Sequence, residues 1–259
     1  MKRWLELHLG KQRLYRNKKF NLLIVGAQKA GTTSLHYALN QHPDIFMTNP
    51  IKEPGYFLPF PVMKDYYQSK GIHLKSKQHF FEYHLLKGYQ GEKYFGESST
   101  FYTTKEWSTK KLVFNIFKYN SQIKIIYICR NRVERIISHY YHEQAKNKHL
   151  TLNEFLENEE AFEISCYYKR ILPFYQVIDN QQILLLNFEK MIKNPKKWMH
   201  TIFKFLNIDE KITFNNFPFL NKSLKKKYNS NIVKERILQH RHYKKLQEDD
   251  QLFMYLTKT

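Results

Sequence analysis

The chain has 259 residues, 42% of them hydrophobic, which suits one large domain with a substantial core and excludes wholesale disorder. Its 43 Lys and Arg outweigh 23 Asp and Glu for a formal net charge of +20, which reflects either a compositional bias of the genome or anionic partners: nucleotide phosphates, an acidic polymer, nucleic acid or an anionic membrane surface. Two cysteines, Cys129 and Cys166, cannot build a disulfide framework, and no stretch approaches the roughly 20 apolar residues of a membrane span.

Residues 1–19 are basic and mixed, with Trp4, Leu5, Leu7 and Leu9 but no unbroken apolar core of a signal peptide. They are expected to form a basic extension, a solvated helical lead-in, with weak contact to a membrane surface as the alternative. Residues 20–259 read as a single domain, and a reducing, cytoplasmic setting is expected.

Residues 20–25 form a short apolar run closed by Gly26 and read as a buried strand. Residues 33–41 place Leu35, Ala38 and Leu39 at helical spacing, stopped by His42-Pro43. Residues 45–47 read as a second strand, and 51–79, with several Pro, Gly and aromatic residues, as an irregular surface region. A weak strand follows at 93–96, then a helix over 104–119, then the clearest strand at 124–129 and a helix over 133–146. Thr151-Leu152-Asn153-Glu154 is a capping box that opens the next helix. Residues 165–177 read as a helix kinked at Pro173, residues 183–186 as a buried strand, and 195–206 as a helix with Trp198, Ile202, Phe203 and Leu206 on one stripe. Apolar strands alternating with helices predict an α/β fold, a central parallel sheet with helices on both faces. Ligands of such sheets sit at the carboxyl ends of strands, which directs attention to the loops after Val25 and Cys129.

The first loop, Gly26-Ala27-Gln28-Lys29-Ala30-Gly31-Thr32-Thr33, joins a predicted strand to a predicted helix. Its glycines let the backbone wrap an anion with amides and a helix N-terminus, giving a P-loop-like turn. In a Walker A loop Lys follows the second Gly, and Ser or Thr holds magnesium. Here Lys29 precedes Gly31 and Thr32 takes the usual lysine position, leaving the hydroxyls of Thr32, Thr33 and Ser34 as phosphate donors. The arrangement that positions a triphosphate and its metal is lost, so no metal is expected.

The second loop opens Arg130-Asn131-Arg132-Val133-Glu134-Arg135-Ile136-Ile137-Ser138. With a helix starting near Val133, Arg135 and Ser138 share a face above Arg130, a combination that suits a phosphate monoester. Chemistry alone leaves an alternative open, a solvated basic helix start in which Arg135 pairs with Glu134 or Glu143. Two further segments carry carboxylates: Lys52-Glu53-Pro54 before Tyr56-Phe57, and Gly96-Glu97-Ser98-Ser99-Thr100 with Tyr102. A solvated Lys-Glu pair and a satisfied buried carboxylate are their structural alternatives.

The run from Val25 to Leu35, with His42-Pro43-Asp44-Ile45 after it, resembles the 5′-phosphosulfate-binding motif of sulfotransferases that use 3′-phosphoadenosine 5′-phosphosulfate (PAPS). The likeness is greatest to the carbohydrate, heparan sulfate-type branch and its bacterial relatives. It implies a sulfotransferase domain over 20–259 that transfers a sulfuryl group from PAPS to a hydroxyl, less readily an amine, of a carbohydrate, releasing 3′-phosphoadenosine 5′-phosphate (PAP). It implies that Lys29, Ala30, Gly31, Thr32, Thr33 and Ser34 hold the 5′-phosphosulfate, with Lys29 also catalytic. Arg130 and Ser138 match the 3′-phosphate motif, Arg135 a further Arg, and Arg132 stands where Pro is usual while adding charge of the right sign. Glu53 becomes the catalytic base, Lys52 a contact to the donor or the acceptor, and Glu97 a group that orients the acceptor or Lys29, while the basic run 221–227 is either a flap over the 3′-phosphate or a flexible solvated run. A histidine base, as in the small-molecule branch, would draw on His36, His42 or His139, none of which has that branch's context. The rivals are a magnesium-dependent P-loop kinase, disfavoured by the displaced Lys29, and a basic polyanion- or nucleic-acid-binding protein. No aromatic-basic RNA motif is present, so no nucleic-acid partner is expected.

Overall fold

The computed structural model of the chain describes residues 17–104, 106–212, 217–218 and 230–256. Most of the basic extension and the basic run 221–227 lie outside the described residues. β1 (Leu22–Gly26) leads through the phosphate turn into α1 (Thr32–Leu39), then β2 (Ile45–Met47). α2 (Phe60–Gln68) and α3 (Lys77–Phe80) precede β3 (Tyr94–Glu97), and a 3₁₀ turn (Thr100–Thr103) precedes α4 (Lys110–Tyr119). β4 (Lys124–Cys129) feeds α5 (Arg132–Lys146), followed by α6 (Leu152–Glu157), α7 (Glu160–Ser165) and α8 (Tyr167–Tyr175). β5 (Ile183–Asn187), α9 (Phe188–Lys193), α10 (Pro195–Leu206), α11 (Ser230–Leu238) and α12 (Tyr243–Leu256) follow.

The five strands form one parallel sheet in the order β2-β3-β1-β4-β5, with Leu22 opposite both Gly96 and Lys124. From β1 the chain first builds the sheet on one side, through β2 and β3, and then crosses to the other with β4. The direction of winding therefore reverses between β1 and β4, the switch point where open parallel sheets leave a crevice at their carboxyl ends. Both predicted anion loops flank that crevice. Every residue of β1 is buried, as are Ile125 to Cys129 of β4, consistent with helices covering both faces. Each fully buried Leu or Ile of these strands contributes about 1.5–3 kcal/mol relative to exposure. A second cluster, including Ile136, Tyr140, Phe155, Phe162, Val233 and Leu246, packs α5, α6 and α7 against α11 and α12.

Some expected elements differ. The 51–79 region is not simply irregular surface: it contains α2, which buries Met63 and Tyr67, and its neighbours Phe57 and Leu58 are also buried. Its prolines misled because Pro59 is the N-cap and Pro61 lies in the first turn, where a missing N–H costs nothing. The helix expected from 104 begins at Lys110, where the Thr109 hydroxyl accepts the Leu112 N–H at 3.2 Å. The helix expected over 165–177 is broken at Cys166 (φ −78°, ψ 74°) into α7 and α8, and Pro173 lies within α8.

Candidate active site

The turn after β1 is shaped for an anion by its own backbone. Lys29 adopts a left-handed conformation (φ 64°), and Gly31 (φ 91°) is the N-cap of α1. A side chain at Gly31 is excluded twice, by that φ and by the Phe188 ring, which a Cβ would meet at 2.7 Å. No side chain caps α1 and no acidic residue occupies its first turn, so its amides and dipole are presented to an external anion. Gly31, Thr32, Thr33 and Ser34 line a cleft of about 1480 Å³, together with Lys29. Ala30 does not: it is fully buried, and its N–H donates to the Ala27 carbonyl at 3.1 Å, so it shapes the turn. Burial, then the charge of Lys146, hold the Lys29 amine down to about 8.

Across the crevice, Arg130 leaves the end of β4 and donates from Nη1 to the Lys29 carbonyl at 3.0 Å. Its guanidinium lies 4.8 Å from the centre of the Phe188 ring, the ring that also backs Gly31. Nη2 is 3.9 Å from Glu134, while Nε is buried with no hydrogen-bond partner. Burial lowers the Arg130 pKa, and an anion at this point would offset that cost. Ser138 lines the same cleft from α5.

Arg135 does not join them. It is completely buried, with Nε donating to Ser165 Oγ at 2.6 Å and Nη2 to the Ala161 carbonyl, so it ties α5 to α7 and pairs with neither Glu134 nor Glu143. Arg132 also turns away from the cleft, pairing with Asp249 at 3.0 Å and Asp250 at 2.6 Å. The face of α5 that does line the cleft runs on from Ser138 through Tyr141, His142, Ala145 and Lys146. Spacings of three, four, seven and eight residues mark one helical stripe, a periodicity that the sequence itself carries.

On the acceptor side, Glu53 lines the cleft and accepts from Lys52 Nζ at 2.5 Å through Oε1 and from the Thr100 hydroxyl at 3.0 Å through Oε2. Lys52 is not part of the lining; its ammonium is occupied by Glu53 and, at 3.4 Å, by the Ser98 carbonyl. Glu97, expected to touch the acceptor or Lys29, lies beneath the site instead. Fully buried, it accepts from the Ser99 hydroxyl at 2.6 Å and from the Tyr102 hydroxyl, and burial pushes its carboxyl up to about 7. Ser99 Oγ accepts the Gly55 N–H at 2.8 Å, and Tyr102 Oη the Phe57 N–H at 3.2 Å. Glu97 thus anchors, through two hydroxyls, the backbone that carries Glu53. The physical reason is its position at the end of β3, inside the sheet's buried layer.

Leu58, Val62, Met63 and Tyr66 with Phe101 and Trp107 complete this wall. Tyr66 and its α2 neighbours were hidden within the stretch read as irregular. His36 and His139 are buried outside the cleft, held down to about 3 and about 2 by desolvation and nearby cations. His42 is tied to the Asp209 carbonyl at 3.0 Å. The cleft does contain His142, whose pKa is lowered by burial and then Lys29. Among the described residues no group of three or more His, Cys, Asp or Glu side chains converges as a metal site would, and no helix is long and apolar enough to cross a membrane.

A family model described as the sulfotransferase domain matches residues 20–251. The chain is 33% identical over 121 residues to the membrane-associated sulfotransferase kil1 of Dictyostelium discoideum, an alignment covering 47% of this chain and 22% of that protein. It is 25% identical over 210 residues to bifunctional heparan sulfate N-deacetylase/N-sulfotransferase 1 of Mus musculus, covering 75% of this chain and 23% of that one. The chain thus spans less than a quarter of the length of these two relatives. A crystal structure of a sulfotransferase from Alicyclobacillus acidocaldarius shares the fold with a TM-score of 0.64 at 23% identity, covering 86% of this chain and 97% of that one. With its parallel sheet, its phosphate turn at the switch point and a family match over nearly the whole described domain, the chain belongs to the sulfotransferase-domain family.

Proposed function

We propose that this chain is a sulfotransferase that uses PAPS as donor and an acceptor hydroxyl, on a carbohydrate, as the receiving group. The observation that carries the reading is the pair of anion-binding loops at one switch point, linked by the hydrogen bond from Arg130 to the Lys29 carbonyl. A donor bearing both 5′ and 3′ phosphates needs two such sites; a kinase substrate needs no second. The residues present fit the donor: an uncapped helix N-terminus, a left-handed Lys29 and an Arg130 whose buried Nε lacks a partner.

When bound, the donor supplies the sulfuryl group: a bond forms from the acceptor oxygen to sulfur as the bond from sulfur to the 5′-phosphate oxygen breaks, its electron pair leaving with the phosphate. Lys29 and the amides of Gly31 to Ser34 hold the 5′ end, and the Lys29 ammonium offsets charge growing on the departing oxygen. Arg130 and Ser138 hold the 3′-phosphate. The Glu53 carboxylate, oriented by Lys52 and Thr100, accepts the acceptor's proton. Tyr66, Phe101 and Trp107 line the cleft on the Glu53 side, and a wall rich in aromatic side chains suits a sugar ring, which supports the carbohydrate reading. The test is incubation with PAPS and a panel of glycan acceptors, with products read by mass spectrometry, beside calorimetry with PAP. Sulfated product and PAP binding are expected; neither transfer nor PAP binding would end this reading.

A further inference from the structure

Arg132 is the residue at which this chain departs from the proline usual in the 3′-phosphate motif, and its side chain has a fixed destination. Its guanidinium pairs with Asp249 at 3.0 Å and Asp250 at 2.6 Å on α12, and lies over the rings of Tyr167, at 4.7 Å, and Phe253, at 5.7 Å. Asp249 is only 1% exposed and fully used: Oδ2 also accepts the Tyr168 N–H at 3.0 Å, and Oδ1 the Lys169 N–H at 3.1 Å. These are first-turn amides of α8, which has no side-chain cap of its own at Cys166. Asp249 is therefore a cap delivered from a distant helix, and it sets where α8 begins.

The first residue of α8 is Tyr167, and its hydroxyl meets both polar groups of the Arg130 backbone. It accepts the Arg130 N–H at 3.3 Å and donates to the Arg130 carbonyl at 2.8 Å. A continuous chain of contacts thus runs from Asp249 through Arg132 and the start of α8 to Tyr167, and from there to the residue that enters the anion cleft. Stability alone does not explain a buried ion pair here, because well-packed apolar side chains often serve as well or better. Placement of Arg130 is the other use: the contacts end on its backbone N–H and carbonyl, which set where its side chain starts, and a planar guanidinium must be aimed to bind a phosphate with two parallel hydrogen bonds.

We infer that α12 is a positioning element of the second anion site and that Asp249 is its positioning residue, acting through Arg132 and Tyr167 on Arg130. This rests on the reading of Arg130 as the 3′-phosphate ligand. The experiment compares calorimetric affinity for PAP with that for adenosine 5′-monophosphate, which lacks the 3′-phosphate, in the full chain. The wild type is expected to prefer PAP and Arg130→Ala to lose most of that preference. Asp249→Asn is expected to weaken PAP about tenfold while changing the monophosphate less than about twofold, within the range for indirect contacts. Should Asp249→Asn fail to fold, Arg132→Lys keeps the charge facing Asp249 but gives up the stacked plane, and a selective loss of about threefold is expected. Equal weakening of both nucleotides, or an unchanged preference in the folded variant, overturns the inference and leaves the donor reading intact. A wild type that does not distinguish the two nucleotides overturns the donor reading itself, and the inference with it.

Discussion

The turn that carries Lys29 and the segment that carries Glu53 face each other across one cleft, yet they are held in place by opposite means. The turn is shaped mainly by its own backbone: Gly31 and the left-handed Lys29 set its path, α1 begins directly behind it, and the Arg130 guanidinium of the neighbouring anion loop and the Phe188 ring brace it. The Glu53 segment is suspended from elsewhere, through Lys52 and Ser98, through Ser99 and Tyr102, and finally through the buried Glu97. A site built locally fails at its own residues, whereas a suspended one can also be altered from beneath.

The largest effect expected from this contrast is at Glu53. Glu53→Gln removes the proton acceptor while keeping shape, and kcat should fall about 10²- to 10⁴-fold with PAP affinity unchanged. If PAP affinity fell equally, the two regions would not be the separate acceptor and donor halves described. Lys29→Ala should lower kcat about 10²- to 10³-fold, read in the same transfer assay. Its pH dependence sharpens the point. Because the Lys29 amine is depressed to about 8, its charge is present below that pH and lost as pH rises through it, so PAP affinity should decline above pH 8. In Lys29→Arg that decline should vanish, since a guanidinium remains charged. For the second anion loop, Arg130→Ala should cost about a hundredfold in PAP affinity, measured by calorimetry.

The smallest functional effect belongs to Glu97, and it should register mainly as stability. Its carboxyl is raised from 4.5 to about 7, so burial favours the protonated form. Stability from that form is present at low pH and is lost as pH climbs through this window, by at most about 3 kcal/mol. Glu97→Gln should flatten the dependence of Tm on pH between about 5 and 8 and lower kcat less than about tenfold, through a looser Glu53.

The same contrast explains what the sequence made legible. The sheet, the phosphate turn and Arg130 could be read because strands, glycines and strand-end residues act through local backbone geometry. Arg135 was misplaced because spacing shows which residues lie near one another on a helix, not which of them another helix covers; α7 covers Arg135. For Glu97 the two readings, a contact in the cleft and a satisfied buried carboxylate, stay open in the sequence because a carboxylate beside a Gly looks alike from either side of a sheet layer, and the structure shows the second. Asp249 carries no signal in the sequence, since it lies more than a hundred residues from Arg132, with which it pairs, and in a run of ordinary charged residues. Pro61 disguised α2, because a proline that breaks a helix interior is harmless in its first turn.

The Phe188 ring has a consequence of its own. It is wedged between Gly31, where no side chain fits, and the guanidinium of Arg130. One rigid aromatic plate therefore fixes the interval between the two anion sites, and neither loop can shift without disturbing the other. The pair works as a gauge of length as well as a sink for charge. Under the proposed donor reading, the span to be matched is that between two phosphates on one nucleoside, and two ligands of equal charge but different span are then expected to bind unequally.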